Sequence, residues 1–270
     1  MGYNYNNIID VFPGNIDNRL RTKEEEYTNN YSTPFPPEVA KVLETLIDET
    51  IHEFEEHYYM TTETERKLLF QLIKIFRCSH VLEIGTFTGV ATIAMASALS
   101  SCSSLSSSGE NNGDNSSSRG KVITLEMDPK AMSIAQKHAK KLKYLNDRID
   151  FVLGPAMESL VRITKEQPNK QYDLIFIDAN KDGYTSYFDF IMDNHLLSDN
   201  GLIIADNALY YGQVHRQAGY DDIKLFNSRP DIPGHAKNIH EFNQHVLKDK
   251  RVQVVILPLF DGISIITKSK

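Results

Sequence analysis

From residue 80 onward, short apolar runs alternate with longer stretches in which apolar residues recur every three or four positions. Residues 80–84 (His-Val-Leu-Glu-Ile) stop at Gly85 and give way to a helical stretch over 90–99. The pattern then repeats. Residues 121–126 precede a helix opened by Pro129 that carries Ala131, Ile134, Ala135 and Ala139, and residues 149–153 precede a helix over 155–165. Residues 172–177 and 201–205 are apolar almost throughout, as strands covered on both faces are, with a helix over 184–194 between them. Near the end, 252–257 and 263–267 flank Phe260-Asp261-Gly262, which reads as a hairpin turn. Helices over 37–56 and 62–76 precede the first strand. The alternation predicts an α/β fold: a doubly wound, mostly parallel sheet with a C-terminal antiparallel hairpin and N-terminal helices.

One stretch breaks the pattern. Over residues 100–120, 10 of 21 residues are Ser and most of the rest are Asn, Gly or charged, too polar to offset the entropy of ordering. A domain linker and a disordered loop are both open readings. The strand-helix repeat continues on either side, so we read a low-complexity insertion within a single domain of residues 1–270, with 1–30 as a flexible N-terminal segment. Composition adds exclusions. Of 270 residues 41% are apolar and 24% charged, with a net charge of -7, which disfavours nucleic acid and anionic membrane surfaces as partners. Two cysteines cannot make a disulfide framework, no apolar run reaches the roughly 18 residues of a membrane span, and no secretory leader is visible. These features predict a cytoplasmic protein.

In open parallel sheets ligands bind beyond the carboxyl ends of the strands. The first strand ends Glu83-Ile-Gly85-Thr86-Phe-Thr-Gly89. A dinucleotide fingerprint needs glycine where Glu83 and Thr88 stand, and a carboxylate there would repel a pyrophosphate. S-adenosylmethionine, with an ammonium and a sulfonium, reverses that sign. A plain strand-to-helix turn is the other reading of this loop. Glu126, at the end of the second strand, can accept both hydroxyls of a ribose, or can be ordinary surface charge. Together the spacing of Glu83, Gly85, Gly89 and Glu126 favours adenosylmethionine over NAD.

Asp178 ends the fourth strand, and Asp206-Asn207 the fifth. Two carboxylates and an amide oxygen, without Cys or His, suit a divalent metal: Mg²⁺ first, with Mn²⁺ or Ca²⁺ as alternatives. Asp and Asn are also common in turns, but two acidic strand ends facing one crevice would repel each other without a cation. Lys181, three residues past Asp178, is either a solvated loop lysine or a general base whose pKa is depressed by the metal and by burial. His235, His240 and His245 do not have ligand spacing and read as solvated or core-edge residues.

These motifs together resemble the cation-dependent class I O-methyltransferases, the caffeoyl-coenzyme A O-methyltransferase group, with catechol O-methyltransferase more distant. The resemblance runs through Met60-Thr-Thr62, Leu82-Glu-Ile-Gly-Thr-Phe-Thr-Gly89, Gly154-Pro-Ala156, Phe176-Ile-Asp-Ala-Asn-Lys181, Ala205-Asp-Asn207 and Leu257-Pro-Leu-Phe-Asp-Gly-Ile263. It implies a seven-stranded Rossmann-like sheet and a homodimer. It also implies adenosylmethionine contacts from Met60, Thr62, Glu83, Gly85, Thr86, Gly89, Glu126, Ala156 and Asp178, metal ligation by Asp178, Asp206 and Asn207, and catalysis by Lys181 with Asp178. Four features depart from the plant pattern: Ala91 for a serine, Asn180 for an aspartate, Tyr210-Tyr211 for Trp-Asn, and the Ser-rich insertion. The implied reaction is methyl transfer to one hydroxyl of a vicinal dihydroxy aromatic small molecule, a caffeoyl ester among the candidates. A nicotinamide-dependent oxidoreductase and a non-catalytic cofactor-binding scaffold are the alternatives.

Overall fold

A computed structural model describes residues 18–103, 120–222 and 229–269. Strand β1 (His80–Ile84) lies between β2 (Lys121–Glu126) and β4 (Tyr172–Ile177), and the seven strands follow the order β3-β2-β1-β4-β5-β7-β6. β3 is Ile149–Leu153, β5 Leu197–Ala205, β6 Val252–Leu257 and β7 Ile263–Lys268. β1 to β5 pair in parallel, whereas β7 runs antiparallel to both β5 and β6. The predicted fold class is the one observed.

Successive side chains of a strand point to opposite faces, so the apolar runs supply two cores. Val81, Val122, Leu174, Phe176, Leu202 and Ile204 pack on one face against α2 (Pro37–Glu53), α3 (Glu63–Ile75) and α4 (Val90–Ser103). Leu82, Ile84, Ile123, Leu125, Ile175, Ile177 and Ile203 pack on the other. Their partners there are α7 (Ala156–Glu166), α8 (Tyr184–Asp193) and α10 (Ile232–Lys248). Helix α4 sits between α3 and the sheet, which is why it is apolar all round: Ile93, Ala94, Met95, Ala96 and Ala98 are all buried. On the outer side Phe242 of α10 meets Tyr184 and Phe188 edge-on, with ring centroids 5.4 and 6.3 Å away. Helix α5 (Pro129–Ala139) is capped by the Asp128 side chain, which accepts from the Lys130 amide at 2.8 Å. Two short helices, α6 (Lys143–Asn146) and α9 (Val214–Gln217), complete the described set.

Two expectations change. Residues 18–30, expected to be part of a flexible segment, form helix α1 (Asn18–Asn30), and Lys67 of α3 donates to the carbonyl of its Asn29 at 3.1 Å. The expected insertion at 100–120 starts later, because α4 continues through Ser103; residues 104–119, like residues 1–17, lie outside the described residues. Among the described residues no helix is long and apolar enough to cross a membrane.

Candidate active site

The parallel register lines up the strand ends. Ile84 pairs with Leu125 on one side and Ile177 on the other, and Ile177 pairs with Ala205. The residues that follow, Gly85, Glu126, Asp178 and Asp206, therefore stand in one row at the carboxyl edge of the sheet. Backbone hydrogen bonds extend the ladder past the strands. The Asp178 amide donates to Ile84 at 2.9 Å, the Asp206 amide to Ile177 at 3.0 Å, and the Gly85 amide to Leu125 at 3.1 Å. Gly85 has φ +101°, and a Cβ there would stand 1.9 Å from the Asp178 carbonyl oxygen. Only glycine fits.

Glu83 lies two residues inside the row, on the α4 side, with no exposed surface. Its Oε2 accepts from Thr92 at 2.5 Å and from Thr124 at 2.6 Å, while its Oε1 has no partner. Burial pushes this carboxyl up to about 8 even though the two threonine hydroxyls pull the other way. Thr86 turns its hydroxyl inward to Thr124, 2.5 Å away, while its amide donates to the Leu125 carbonyl at 3.1 Å and its carbonyl accepts from the Gly89 amide at 2.9 Å. Glu126 is held by three backbone N–H groups, from Phe87 at 2.7 Å and from Met127 and Asp128 at 2.8 Å each. Gly89 (φ +88°) lets α4 start against Ala135 of α5, a packing role. Ala156 opens α7 just past β3, and the Gly154 amide before it donates to the Glu126 carbonyl at 2.8 Å.

On the other side of the row, Lys181 Nζ donates to Asp178 Oδ1 at 3.0 Å and to the Tyr184 hydroxyl at 2.8 Å. It faces the rings of Tyr184 and Tyr210, 4.9 and 6.0 Å from their centroids. Burial lowers its pKa, but the charges of Asp178 and Asp206 outweigh burial and hold the ammonium above its ordinary value. Asp206 is pushed well above the usual carboxylate range, by burial first and by Asp178 second. Asn207 sits at φ 59° and turns its amide nitrogen to Asp261 at 3.4 Å. Asp261 also accepts from the Tyr211 amide at 2.7 Å, so the hairpin turn braces this loop. Asn180 uses both ends of its amide, donating to Asp182 and accepting from Tyr187, each at 2.6 Å.

Met60 and Thr62 reach the site less directly. Met60 is partly buried against the core, and Thr62 caps α3 by accepting from the Glu65 amide at 3.3 Å. Replacing Thr62 with alanine is expected to cost about 1 kcal/mol, read as a lowered denaturation midpoint at unchanged m-value. The sequence reading passed over Glu65 itself. Thr62-x-x-Glu65 has the spacing of a capping box, in which the glutamate would return to the cap amide. Its carboxyl does take a hydrogen bond from the Thr62 backbone, which lowers its pKa, but it is buried without a partner at Oε1, and burial together with the charges of Asp206 and Asp178 raises its pKa well above normal. Among the described residues no three His, Cys, Asp or Glu side chains group as metal ligands. The predicted set is two carboxylates and an amide.

The O-methyltransferase family pattern matches residues 35–269. The chain belongs to the O-methyltransferase family. "O-methyltransferase ankF" of Aspergillus thermomutatus is 29% identical over 245 residues, which is 90% of this chain and 91% of that protein. "Caffeoyl-CoA O-methyltransferase 2" of Eucalyptus globulus is 30% identical over 206 residues, 76% of this chain and 73% of its own. Among solved structures, the SAH-bound methyltransferase PaMTH1 of Podospora anserina superposes with a TM-score of 0.78 at 25% identity, covering 95% of this chain and 98% of that one. Family membership removes the oxidoreductase reading: this O-methyltransferase presents its glycine loop and acidic strand ends on the fold of its relatives.

Proposed function

We propose that this O-methyltransferase uses S-adenosylmethionine and a divalent cation to methylate one hydroxyl of a vicinal dihydroxy aromatic small molecule. The observation that carries the reading is the convergence of Asp178, Asp206, Asn207 and the Lys181 ammonium at adjacent strand ends. Adenosylmethionine, when bound, supplies an activated methyl group; Glu83, Gly85 and Glu126 would hold it, with Thr86, Ala156, Met60 and Thr62 at the edges. The fit rests on charge: an orphaned, buried Glu83 oxygen suits a cationic ligand, and Glu126 is oriented for a ribose. A divalent cation, when bound by Asp178, Asp206 and Asn207, supplies Lewis acidity toward the acceptor oxygens; Mg²⁺ suits this oxygen donor set.

Lys181 then becomes the proton acceptor. Its ammonium is stabilised by Asp178 and Asp206, and once those charges are compensated, desolvation is left to lower its pKa. Once its own proton has been released to solvent, neutral Nζ takes the hydroxyl proton while the aromatic walls hold the acceptor ring, so the chain contributes positioning and charge placement. Exposed Val255, Ile256 and Leu259 on and beside edge strand β6 support a homodimer. The deciding experiment is release of adenosylhomocysteine from a panel of catechols with Mg²⁺. Turnover undiminished by chelator would remove the metal from the reading, and none on any catechol would remove the acceptor class.

Glu83 adds a second test. A carboxyl that stays neutral in the fold up to about pH 8 but ionises near the ordinary 4.5 in the unfolded chain makes the unfolded state bind fewer protons across that interval. Stability of the apoprotein is therefore fully supported below about pH 4.5 and falls as pH rises toward about pH 8. Glu83→Gln is expected to flatten this decline in thermal melts. In the unaltered protein, adenosylmethionine binding at pH 7 is expected to release protons as Glu83 ionises beside the cation, measured by calorimetry in buffers of different ionisation enthalpy. Equal proton release from Glu83→Gln would count against the assignment.

A further inference from the structure

Around the acceptor side of the row runs a continuous chain of polar contacts that the methyl-transfer reading does not use. It starts at Tyr210, whose ring faces Lys181 and whose hydroxyl lies 2.9 Å from His235 Nδ1. The same His235 nitrogen is 3.6 Å from Asp231 Oδ2. Asp231 takes Arg229 in a fork: Nε donates to Oδ1 at 2.9 Å and Nη2 to Oδ2 at 2.7 Å. The remaining arm of the guanidinium, Nη1, donates to the Tyr58 hydroxyl at 2.9 Å. Tyr58 belongs to the single 3-10 turn His57–Tyr59 that leads into Met60 and Thr62. The guanidinium also lies over two rings, 5.6 Å from the centroid of Tyr58 and 5.7 Å from that of Tyr211. The chain thus ties the loop after β5 to the turn before α3, the two segments that border the catalytic lysine and the expected cofactor loop.

Its charge is the informative part. Arg229 lies against these aromatic walls, and its donors are engaged by Asp231, Tyr58 and Tyr211. A forked Arg–carboxylate pair is neutral from outside and costly to break, because separating it leaves a half-buried charge without a partner. Arg216, on α9, is likewise paired, 2.8 Å from Asp221. The pair offers an anionic tail no free guanidinium, and its more exposed member is the Asp231 carboxylate, 38% exposed against 16% for Arg229. An uncharged aromatic ring meets two phenol rings held apart by a planar cation.

We propose that the Tyr58–Arg229–Asp231–His235–Tyr210 chain is the specificity-determining wall of the acceptor site, and that it selects a compact, uncharged aromatic diol over one with an anionic tail. The inference rests on the catechol methyl-transfer reading and narrows it, away from a coenzyme A ester.

The test compares two catechols that differ only in one ring substituent, a neutral aldehyde or a carboxylate, with protein loaded with adenosylmethionine and Mg²⁺. The unaltered protein is expected to favour the aldehyde by about tenfold in kcat/KM, mainly through KM. Asp231→Asn leaves Arg229 charged and without its counter-ion, and is expected to bring the ratio close to one by improving the carboxylate. Arg229→Gln leaves Asp231 uncompensated and is expected to widen the preference beyond that of the unaltered protein. Equal use of both acceptors by the unaltered protein, or a ratio unmoved in Asp231→Asn, overturns the wall. Calorimetric binding of the same two ligands in the presence of adenosylhomocysteine reads the ratio without turnover. A preserved ratio there with no methyl transfer supports the wall while overturning the reaction proposed above.

Discussion

Replacing Asp178 with alanine is expected to lower kcat/KM by roughly a thousandfold while leaving the affinity for adenosylmethionine within about threefold of the unaltered protein. Two separate losses combine. The carboxylate is one of only two in the proposed metal set, and it is also the hydrogen-bonded partner of Lys181 at 3.0 Å. Removing it takes away a ligand and the group that orients the base, so the rate suffers more than the loss of either alone would suggest. The groups expected to recognise the cofactor, Glu83 and Glu126, keep their own partners: Thr92 and Thr124 for one, backbone amides for the other. Calorimetry with adenosylmethionine and a rate assay on the same preparation separate the two effects. Retention of full rate, with or without chelator, would refute both roles.

The second large effect is on the fold itself. Gly85→Ala is expected to destabilise the protein by more than about 4 kcal/mol, or to prevent it from accumulating folded. The backbone there has φ +101°, and the added methyl would lie 1.9 Å from the Asp178 carbonyl oxygen and 2.6 Å from its carbonyl carbon. Those are backbone atoms in the adjacent strand end, so neither can swing aside as a side chain would. Relief requires β1 and β4 to separate at their carboxyl ends, which also displaces the Asp178 amide from Ile84. Should soluble Gly85→Ala protein be recovered, it is expected to lose cofactor affinity and acceptor turnover together. A denaturation midpoint equal to that of the unaltered protein would show that the two strand ends are not locked.

Much of this was legible from the chain alone because burial on both faces leaves a plain trace. Residues 172–177 and 201–205 are apolar at nearly every position, and polar residues such as Asp178 and Asp206 stand out where the runs stop. Less was legible where the partner is distant in sequence. Thr92 and Thr124 look like minor polar residues in an apolar helix and strand, yet they clamp the one buried carboxylate of β1 across 9 and 41 positions. Glu65 follows the spacing of a capping box, and nothing in that spacing reveals that its carboxyl is buried within reach of the Asp206 and Asp178 charges. Polar α1 was read as flexible because nothing in its own composition reveals contacts such as that between Lys67 and Asn29. The contact between Tyr58 and Arg229 spans 171 positions and depends on three loops arriving at one place, information that no local pattern carries.

The position of the Ser-rich segment has a practical meaning. Helix α4 leaves the glycine loop at Val90 and runs 14 residues back along the sheet to Ser103. Gly120 re-enters beside Ser79, whose carbonyl accepts from the Lys121 amide at 2.9 Å at the amino end of β1. Both ends of the segment are therefore fastened to the edge of the sheet opposite Glu83, Asp178 and Asp206. A fluorescent domain or an immobilisation handle spliced between residues 104 and 119 would be carried on the far side from the chemistry, making this the natural attachment point for turning the enzyme into a surface-bound sensor.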